Sequence, residues 1–429
     1  MSHTSQLRYW KGVTCPLIHC HALPGLALEG CDVHFIWRLP LSPARMPASE
    51  HNSVRVLLAA SIAVGIFCPY RDVETVAALL AYSMLDLKQP SRKRKHGAFR
   101  ARWDLDSIDA GFFEVTFRFK SAEDVRELMD ELDFPERWET SRGCIFTGEE
   151  AISVYLARLA WPNRYITMSA GDFPANTGAL SDIFNQVEQW MMDNHTSRML
   201  QTGMTKWLPR CETYSDAITA KHGFEDFPGC IGFIDGTFRP TGKPGGDFDM
   251  IQRLSFSGHK RGHGMQFLSI TAPDGIILWT YGPSIGKDQD NTMVKESKFF
   301  DMMKTLHRLA GTPSEQPYFV YGDAVFKWSR YLQKAFERHT RNPRERRFNK
   351  RMNSVRVSVE HVFGRVLSLW KAFYMRPQQK LLLTKPGRCY LNAQFLTNCH
   401  TCMYGNQVSN QFECEPPSLQ EYIHDYREV

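Results

Sequence analysis

The chain of 429 residues lacks the features that would assign it to several common classes of protein. Its most apolar run, Val56–Cys68, is shorter than the ~20 residues that a membrane-spanning helix needs, so we expect no membrane partner and interpret the run as a buried helix. The 11 cysteines are scattered and odd in number, which favours a reducing compartment over a disulfide framework. No glycine-rich phosphate loop and no Ser-His-Asp order stands out, which disfavours a small-molecule enzyme.

The first 110 residues show no pattern that assigns a fold. Residues 1 to about 50 include Cys15, His19, Cys20, His21, Cys31 and His34, whose spacing matches no familiar zinc finger. A structural zinc site and a loosely ordered N-terminus both stay open there, and the second is favoured. The basic cluster Ser91–Lys95 fits a nuclear import signal and, equally, a solvated loop.

Helical patterns dominate residues 111–224. Ser121 with Asp124, and Thr147 with Glu150, have the spacing of helix N-caps ahead of apolar residues at helical intervals. A third helix is predicted over Leu180–Met192. Short helices joined by tight loops fit a helix-turn-helix DNA-binding module and equally any small helical bundle.

Beyond Pro228 the pattern becomes that of strands, and two of them end in an acid. The predicted strand Cys230–Ile234 stops at Asp235, and the predicted strand Tyr318–Tyr321 stops before Asp323. If the two strands are parallel neighbours, both carboxylates emerge at one edge of the sheet. Between them we predict two or three strands over 251–281, with a hairpin turn at 273–275, and a helix over 293–309.

A final long helix, predicted to start near Ser354, carries a third acid, Glu360. Apolar residues flank Glu360 at helical spacing, so a carboxylate there is costly unless it is paired or binds a metal. Arg356 lies one turn before it and is a candidate partner that would orient it. Gly364, one turn after, is expected to permit a close approach. Taken singly, each acid is more often structural than catalytic.

Basic residues cluster around these acids. From Arg341 to Lys371 nine basic residues face only Glu345 and Glu360, and a second cluster surrounds Lys260. Carboxylates ringed by cations suit a metal-dependent reaction on a phosphate backbone, because hard oxygen ligands favour Mg²⁺ or Mn²⁺. The residues predicted to contact DNA are Lys260, Arg261, Arg346, Arg347, Lys350 and Arg351. Trp328, Phe348 and Trp370 could stack on bases, although core packing is the favoured role.

Three segments resemble the PIF/Harbinger-type DDE transposases: GFIDGTF at 232–238, YFVYGDAVF at 318–326 and FNKRMNSVRVSVEHVFGRV at 348–366. The family pattern in the last segment is Asn, Arg, Val-Glu and Phe-Gly. It is matched by Asn349 or Asn353, Arg356, Val359-Glu360 and Phe363-Gly364. The second and third acids are 360 − 323 = 37 residues apart, short as in that family.

The resemblance implies an RNase H-like fold, with a mixed sheet carrying the first two acids on adjacent strands and a later helix carrying the third. It implies that Asp235, Asp323 and Glu360 hold two divalent ions, Mg²⁺ or Mn²⁺, for cleavage at transposon ends and joining of the freed 3′-hydroxyl to target DNA. The family's His-Asp pair becomes Lys287-Asp288 or Gln289-Asp290 here, so Asp290 is predicted to support the metal ligands. Relatives often act in the nucleus with a Myb-like DNA-binding partner, and we expect a homo-oligomer on DNA.

These patterns predict an α/β, RNase H-like protein preceded by an all-α region. Two alternatives stay open: a domesticated DNA-binding protein that no longer cuts, and a metal-dependent nuclease that does not transpose. The predicted parts are an unassigned region 1–110, a helical and DNA-binding region 111–224, a DDE endonuclease domain 225–405 and a tail 406–429.

Overall fold

The computed structural model describes residues 102–223, 228–245, 249–312, 316–337, 339–381 and 383–425. The apolar run Val56–Cys68, the N-terminal cysteines and histidines, and the basic cluster Ser91–Lys95 lie outside the described residues. Among the helices that are described, none is long and apolar enough to cross a membrane.

The first described part is mainly helical. Its helices are α1 Ala110–Phe117, α2 Ala122–Glu131, α3 Gly148–Ala160, α4 Tyr165–Ala170, α5 Thr177–Met191, α6 Ser197–Leu200 and α7 Cys211–His222. A π turn at Met192–Thr196 joins α5 to α6, and a 3₁₀ turn at Thr205–Arg210 precedes α7. The sequence analysis did not predict a small hairpin between α2 and α3, in which β1 (Arg137–Glu139) pairs antiparallel with β2 (Ile145–Thr147).

Both predicted helix starts in this part are confirmed. The Ser121 hydroxyl accepts a hydrogen bond from the Asp124 backbone N–H, and the Asp124 carboxylate accepts one from the Ser121 N–H. Thr147 and Glu150 make the same reciprocal pair at the start of α3. Each pair satisfies N–H groups that the first turn of a helix leaves without a partner inside the helix.

The second part contains a six-stranded mixed sheet. Its strands are β3 Cys230–Pro240, β4 Phe256–Ser257, β5 Gly262–Thr271, β6 Ile277–Ile285, β7 Phe319–Gly322 and β8 Leu332–Lys334. β5 is antiparallel to β3, β4 and β6, whereas β7 is parallel to β3 and to β8. The predicted α/β class with a mixed sheet is confirmed, and the arrangement is compatible with an RNase H-like fold.

The predicted hairpin turn between β5 and β6 is present. Gly275 has φ = 81°, a conformation that favours glycine, and its N–H donates to the carbonyl of Ala272 at 3.0 Å. Asp274 is fully buried in this turn and accepts a hydrogen bond from the Ile276 N–H at 3.0 Å. The Tyr214 hydroxyl also donates to Asp274, at 2.7 Å, so the turn is anchored to α7.

Helices follow and interleave with the strands. They are α8 Asp249–Ser255, α9 Asp290–Glu296, α10 Phe299–Ala310, α11 Pro343–Leu369, α12 Pro386–Tyr404 and α13 Gln407–Phe412. Short 3₁₀ turns cover Lys371–Tyr374 and Arg376–Gln378, and a π turn covers Glu421–Asp425.

Three sequence predictions in this part were wrong. Residues 251–255 belong to a helix, not to a strand. The single helix expected over 293–309 is two helices, because Lys298 between them adopts a left-handed conformation with φ = 55°. The long helix begins at Pro343 and not near Ser354, because the Asn342 side chain accepts a hydrogen bond from the Arg344 N–H and Pro343 needs no hydrogen-bond acceptor.

One continuous hydrophobic core joins residues of the helical part, the sheet and the C-terminal helices. α12 is buried along Pro386–Thr401, and several of its polar side chains pair with other buried groups. Arg388 pairs with Glu188 of α5 at 2.7 Å, and the Asn398 amide donates to the Ile277 carbonyl at 2.8 Å. Because the core runs across residue 224 and on to Tyr422, the domain boundaries at 224/225 and 405/406 remain predictions.

Candidate active site at the sheet edge

Asp235 lies inside β3, not at its end as the sequence predicted. The strand continues to Pro240 because residues 236–240 keep pairing with β5. Its other neighbour, β7, is short and ends at Gly322. Phe233 pairs with Tyr321 across this parallel pair, so two more residues in the same register bring Asp323 level with Asp235. Asp235 therefore lies in the sheet at the level where the neighbouring strand β7 has ended.

Asp290 comes to the same place from the first turn of α9. A Cβ atom added to Gly236 would lie 2.1 Å from one carboxylate oxygen of Asp290 and 3.1 Å from the other. A side chain at residue 236 would have to displace the Asp290 carboxylate, so the glycine after Asp235 allows this close approach. Asp290 is also near enough to Asp235 to raise its pKa.

The carboxylates of Asp235, Asp290 and Asp323 act on one another electrostatically. Burial raises the pKa of Asp235 to about 6, Arg356 and the Gly236 N–H oppose the shift, and Asp323 and Asp290 add to it. Burial and then Asp323 raise the pKa of Asp290, while Lys260 lowers it. Asp323 and Asp290 therefore concentrate negative charge near Asp235, and a cation would relieve that charge.

Arg356 of α11 links Asp235 to Glu360. One guanidinium nitrogen lies 3.4 Å from Asp235 Oδ2 and the other lies 3.4 Å from Glu360 Oε1. Arg356 is 18% exposed and its Nε is buried with no hydrogen-bond partner, whereas Glu360 is 58% exposed. The arginine therefore holds the third acid near the first through two long contacts. A Cβ at Gly364 would meet nothing within 4 Å, so the predicted close approach at that glycine was wrong.

The oxygen donors fit a hard divalent cation in their chemistry. Within the residues that the structure describes, no three acidic, histidine or cysteine side chains are close enough together to hold a metal as they stand. The Arg356 guanidinium lies between Asp235 and Glu360, at the place where a shared cation would bridge them. The ligand set Asp235, Asp323 and Glu360 stays a prediction, and it requires Arg356 to yield one of its contacts.

Sequence reasoning missed Asn291, which connects two parts of this site. Its amide nitrogen donates to the Val325 carbonyl at 2.9 Å, and its amide oxygen accepts from the Lys327 N–H at 2.9 Å. Asn291 follows Asp290 on α9, and Val325 lies two residues after Asp323. The amide therefore fixes the loop after β7 against the start of α9. No sequence signal marks it, because Asn at a helix start is common.

The predicted DNA-contact residues lie in two places. Lys260 and Arg261 are exposed in the turn between β4 and β5, and the effect of Lys260 on the Asp290 pKa places it near the acids. Arg346, Arg347 and Lys350 are exposed on the first turns of α11. Arg351 donates to the Gly223 carbonyl at 3.1 Å, which ties this helix to the end of α7. Only the cluster around Lys260 is thereby placed near the carboxylates, and the DNA contacts of the α11 cluster stay a prediction.

The three aromatic residues considered for stacking on bases differ in their exposure to solvent. Trp370 is fully buried, and its indole N–H donates to Thr397. Phe348 is half-buried against Tyr321 and Phe336. Trp328 is 64% exposed, so the favoured core role was wrong for this residue.

Comparison with known proteins places this geometry in a family context. Residues 234–399 match the family described as DDE superfamily endonuclease, so that part of the chain is similar to this family. The matched range contains all of the predicted site residues. No curated protein and no solved structure matches the chain. The family implies nuclease activity and generally uses divalent metals.

Proposed function

We propose that this protein is a DNA endonuclease and transposase of the PIF/Harbinger type. It cleaves phosphodiester bonds at transposon ends and joins the freed 3′-hydroxyl to target DNA. The observation that supports the proposal is that Asp323 directly follows β7, the parallel neighbour of the strand that holds Asp235, while Asp290 acts on Asp235 electrostatically and Glu360 is linked to it through Arg356. Basic residues on both sides supply the charge that a phosphate backbone needs.

Asp235, Asp323 and Glu360 are the proposed metal ligands, for two Mg²⁺ or Mn²⁺ ions. Such ions lower the pKa of an attacking hydroxyl and stabilise the leaving oxygen. Arg356 positions Asp235 and Glu360, and Asp290 adds negative charge beside Asp235. Because burial raises the pKa of Asp235 to about 6 in the metal-free protein, protons would compete with a metal ion for this carboxylate in mild acid. Metal binding, and activity with it, should therefore weaken as the pH falls.

Several finer points belong to the same proposal. The substrates are transposon ends and target DNA, with Lys260, Arg261, Arg346, Arg347, Lys350 and Arg351 contacting phosphates. The protein acts as a homo-oligomer in the nucleus, with a Myb-like partner that recognises DNA. The support for these points is the family resemblance and the exposed position of most of the basic residues.

The experiment compares the purified chain with Asp323→Asn on DNA that carries the inverted repeats flanking its gene. We expect Mg²⁺-dependent cleavage by the parent chain and a loss of at least about 1,000-fold in the variant, with DNA binding retained. Asp301→Asn is the matched control, because Asp301 is 73% exposed on α10 and pairs only with nearby Lys304 in its salt bridge. Equal cleavage by Asp323→Asn and the parent chain would exclude the proposed site.

Two further measurements separate the alternatives. A parent chain that binds the repeats but never cuts them is the domesticated DNA-binding protein, and one that cuts without joining ends is the non-transposing nuclease. If the basic clusters contact phosphates, affinity must fall steeply as salt rises. A flat salt response would remove these clusters from the DNA interface.

A further inference from the structure

The loop that follows β7 displays a tryptophan beside the carboxylates. This segment, residues 324–331, is called the Trp328 loop below. Trp328 comes five residues after Asp323, and 64% of its surface is exposed. Single exposed apolar side chains are common on protein surfaces, but this tryptophan is presented by the loop that directly follows a proposed metal ligand, so its flat face is available to a ligand at that site.

The Trp328 loop is held in place, so the exposure of the indole does not come from a loose segment. Phe326 is fully buried under Gly322 and anchors the loop from below. The Asn291 amide makes two hydrogen bonds of 2.9 Å to the loop backbone. The indole N–H of Trp328 donates to Gln333 Oε1 at 2.8 Å, which fixes the plane of the ring. The aromatic face is therefore presented at a defined place.

The charged residues of the Trp328 loop and of the strand that follows it are all basic. Residues 324–336 contain Lys327, Arg330 and Lys334 and no acidic residue. Lys327 and Arg330 are exposed, Arg330 lies over the ring of Tyr331, and the Lys334 ammonium donates to the Ala324 carbonyl at 3.2 Å. A flat aromatic face bordered by cations matches a nucleobase attached to phosphates, since bases stack on aromatic rings and phosphates need cations.

We propose that Trp328 is a stacking platform for an unpaired base of the DNA strand next to the reacting phosphodiester. A paired base inside a duplex presents no free face, so the platform receives a base at a frayed or single-stranded end. This role adds a specificity for unpaired ends to the endonuclease proposed above, and it rests on that function. Stacking on one ring contributes affinity with little dependence on which base is bound.

The experiment measures binding of two DNA probes to the full chain carrying Asp323→Asn, so that cleavage cannot alter the probe. One probe is a blunt duplex, and the other is the same duplex with a single-stranded tail that contains 2-aminopurine. We expect quenching of the 2-aminopurine fluorescence on binding. Adding Trp328→Ala should abolish the quenching and weaken binding to the tailed probe about 10-fold, with little change for the blunt probe. Trp328→Phe should restore most of the affinity.

Trp161→Ala is the matched control, because Trp161 is also an exposed tryptophan, 53% exposed, but lies at the end of α3. It should leave both the affinity and the quenching unchanged. Quenching and affinity that survive Trp328→Ala would overturn the stacking proposal while leaving the endonuclease proposal intact. Absence of binding to either probe by the full chain would overturn the endonuclease proposal and the stacking proposal with it.

Discussion

Two arginines of this chain pair with carboxylates in opposite surroundings. Arg388 of α12 lies 2.7 Å from Glu188 of α5, and the two side chains are 0% and 3% exposed. Arg356 of α11 lies 3.4 Å from both Asp235 and Glu360, which are 21% and 58% exposed. The first pair is short and enclosed, so it fixes the packing of α12 on α5. The second is longer and reached by solvent, so its partners can be exchanged.

This difference in exposure and distance indicates that the Arg388–Glu188 pair stabilises the fold, whereas the contacts of Arg356 belong to the candidate active site. Removing one member of an enclosed pair leaves a buried charge without a partner, which is costly. A longer and more exposed pair contributes little to stability. At the sheet edge, Arg356 only partly offsets the mutual repulsion of Asp235, Asp290 and Asp323. Grouping these acids at the sheet edge therefore lowers the free energy of unfolding, as is common at functional sites.

The largest effect that the comparison predicts is on folding. Arg388→Ala should lower the free energy of unfolding by about 3–5 kcal/mol, since it leaves Glu188 buried and charged. Arg356→Ala should lower it by about 1 kcal/mol, because its partners are reached by solvent. Urea unfolding at neutral pH measures both values. Equal losses would remove the distinction between the two pairs.

The stabilisation of the fold by a bound metal ion tests the candidate site at the sheet edge. Adding Mn²⁺ at about 100 times its dissociation constant should stabilise the parent chain by about 2.7 kcal/mol, because the ion binds only the folded state. Removing the ion with a chelator should reverse the gain. Asp235→Asn should show no such gain, whereas Asp301→Asn should behave like the parent chain. A metal response that persists in Asp235→Asn would place the ion elsewhere.

Without metal, Asp235→Asn should make the protein more stable at about pH 8, by up to about 3 kcal/mol. The folded chain holds the Asp235 proton with a pKa of about 6, against an ordinary value of 3.8, so folding takes up a proton between these two pH values. The contribution of Asp235 to the free energy of unfolding of the parent chain therefore falls as the pH rises from about 4 to 6.

At about pH 4 the advantage of Asp235→Asn should disappear, because the aspartic acid is then protonated in the folded state and the penalty is absent. Thermal unfolding at the two pH values measures the difference. An advantage that grows toward acid would have the wrong sign and would show that Arg356 dominates the environment of Asp235.

The smallest expected change in the free energy of unfolding tests which residues begin helices α3 and α11. Thr147→Ala should cost about 1 kcal/mol, because the Thr147 hydroxyl accepts a hydrogen bond from the Glu150 N–H at the start of α3. Ser354→Ala is the control, since Ser354 is exposed within α11 and its hydroxyl donates to the Arg351 carbonyl. A cost for Ser354→Ala as large as that for Thr147→Ala would contradict the helix start at Pro343.

Much of the fold follows from short-range patterns. The helix starts at Ser121 and Thr147, the turn at Gly275 and the strand before Asp323 depend on residues close together in the chain, and all were predicted. The wrong predictions concern element boundaries that the local pattern did not specify. β3 continues past Asp235 only because β5 pairs with it, and α11 starts early because Asn342 and Pro343 outweigh the serine at 354.

The sequence by itself determined the chemical types at the site: acids after apolar strands, a third acid on a helix with an arginine one turn earlier, and basic residues around them. Local order and periodicity are written in neighbouring residues, so they can be read without coordinates. Only the tertiary structure placed Asp290 against Gly236, set Arg356 between two acids, and fixed the Trp328 loop through Asn291. These contacts join residues far apart in the chain, and their energies depend on burial and distance, which no local pattern specifies.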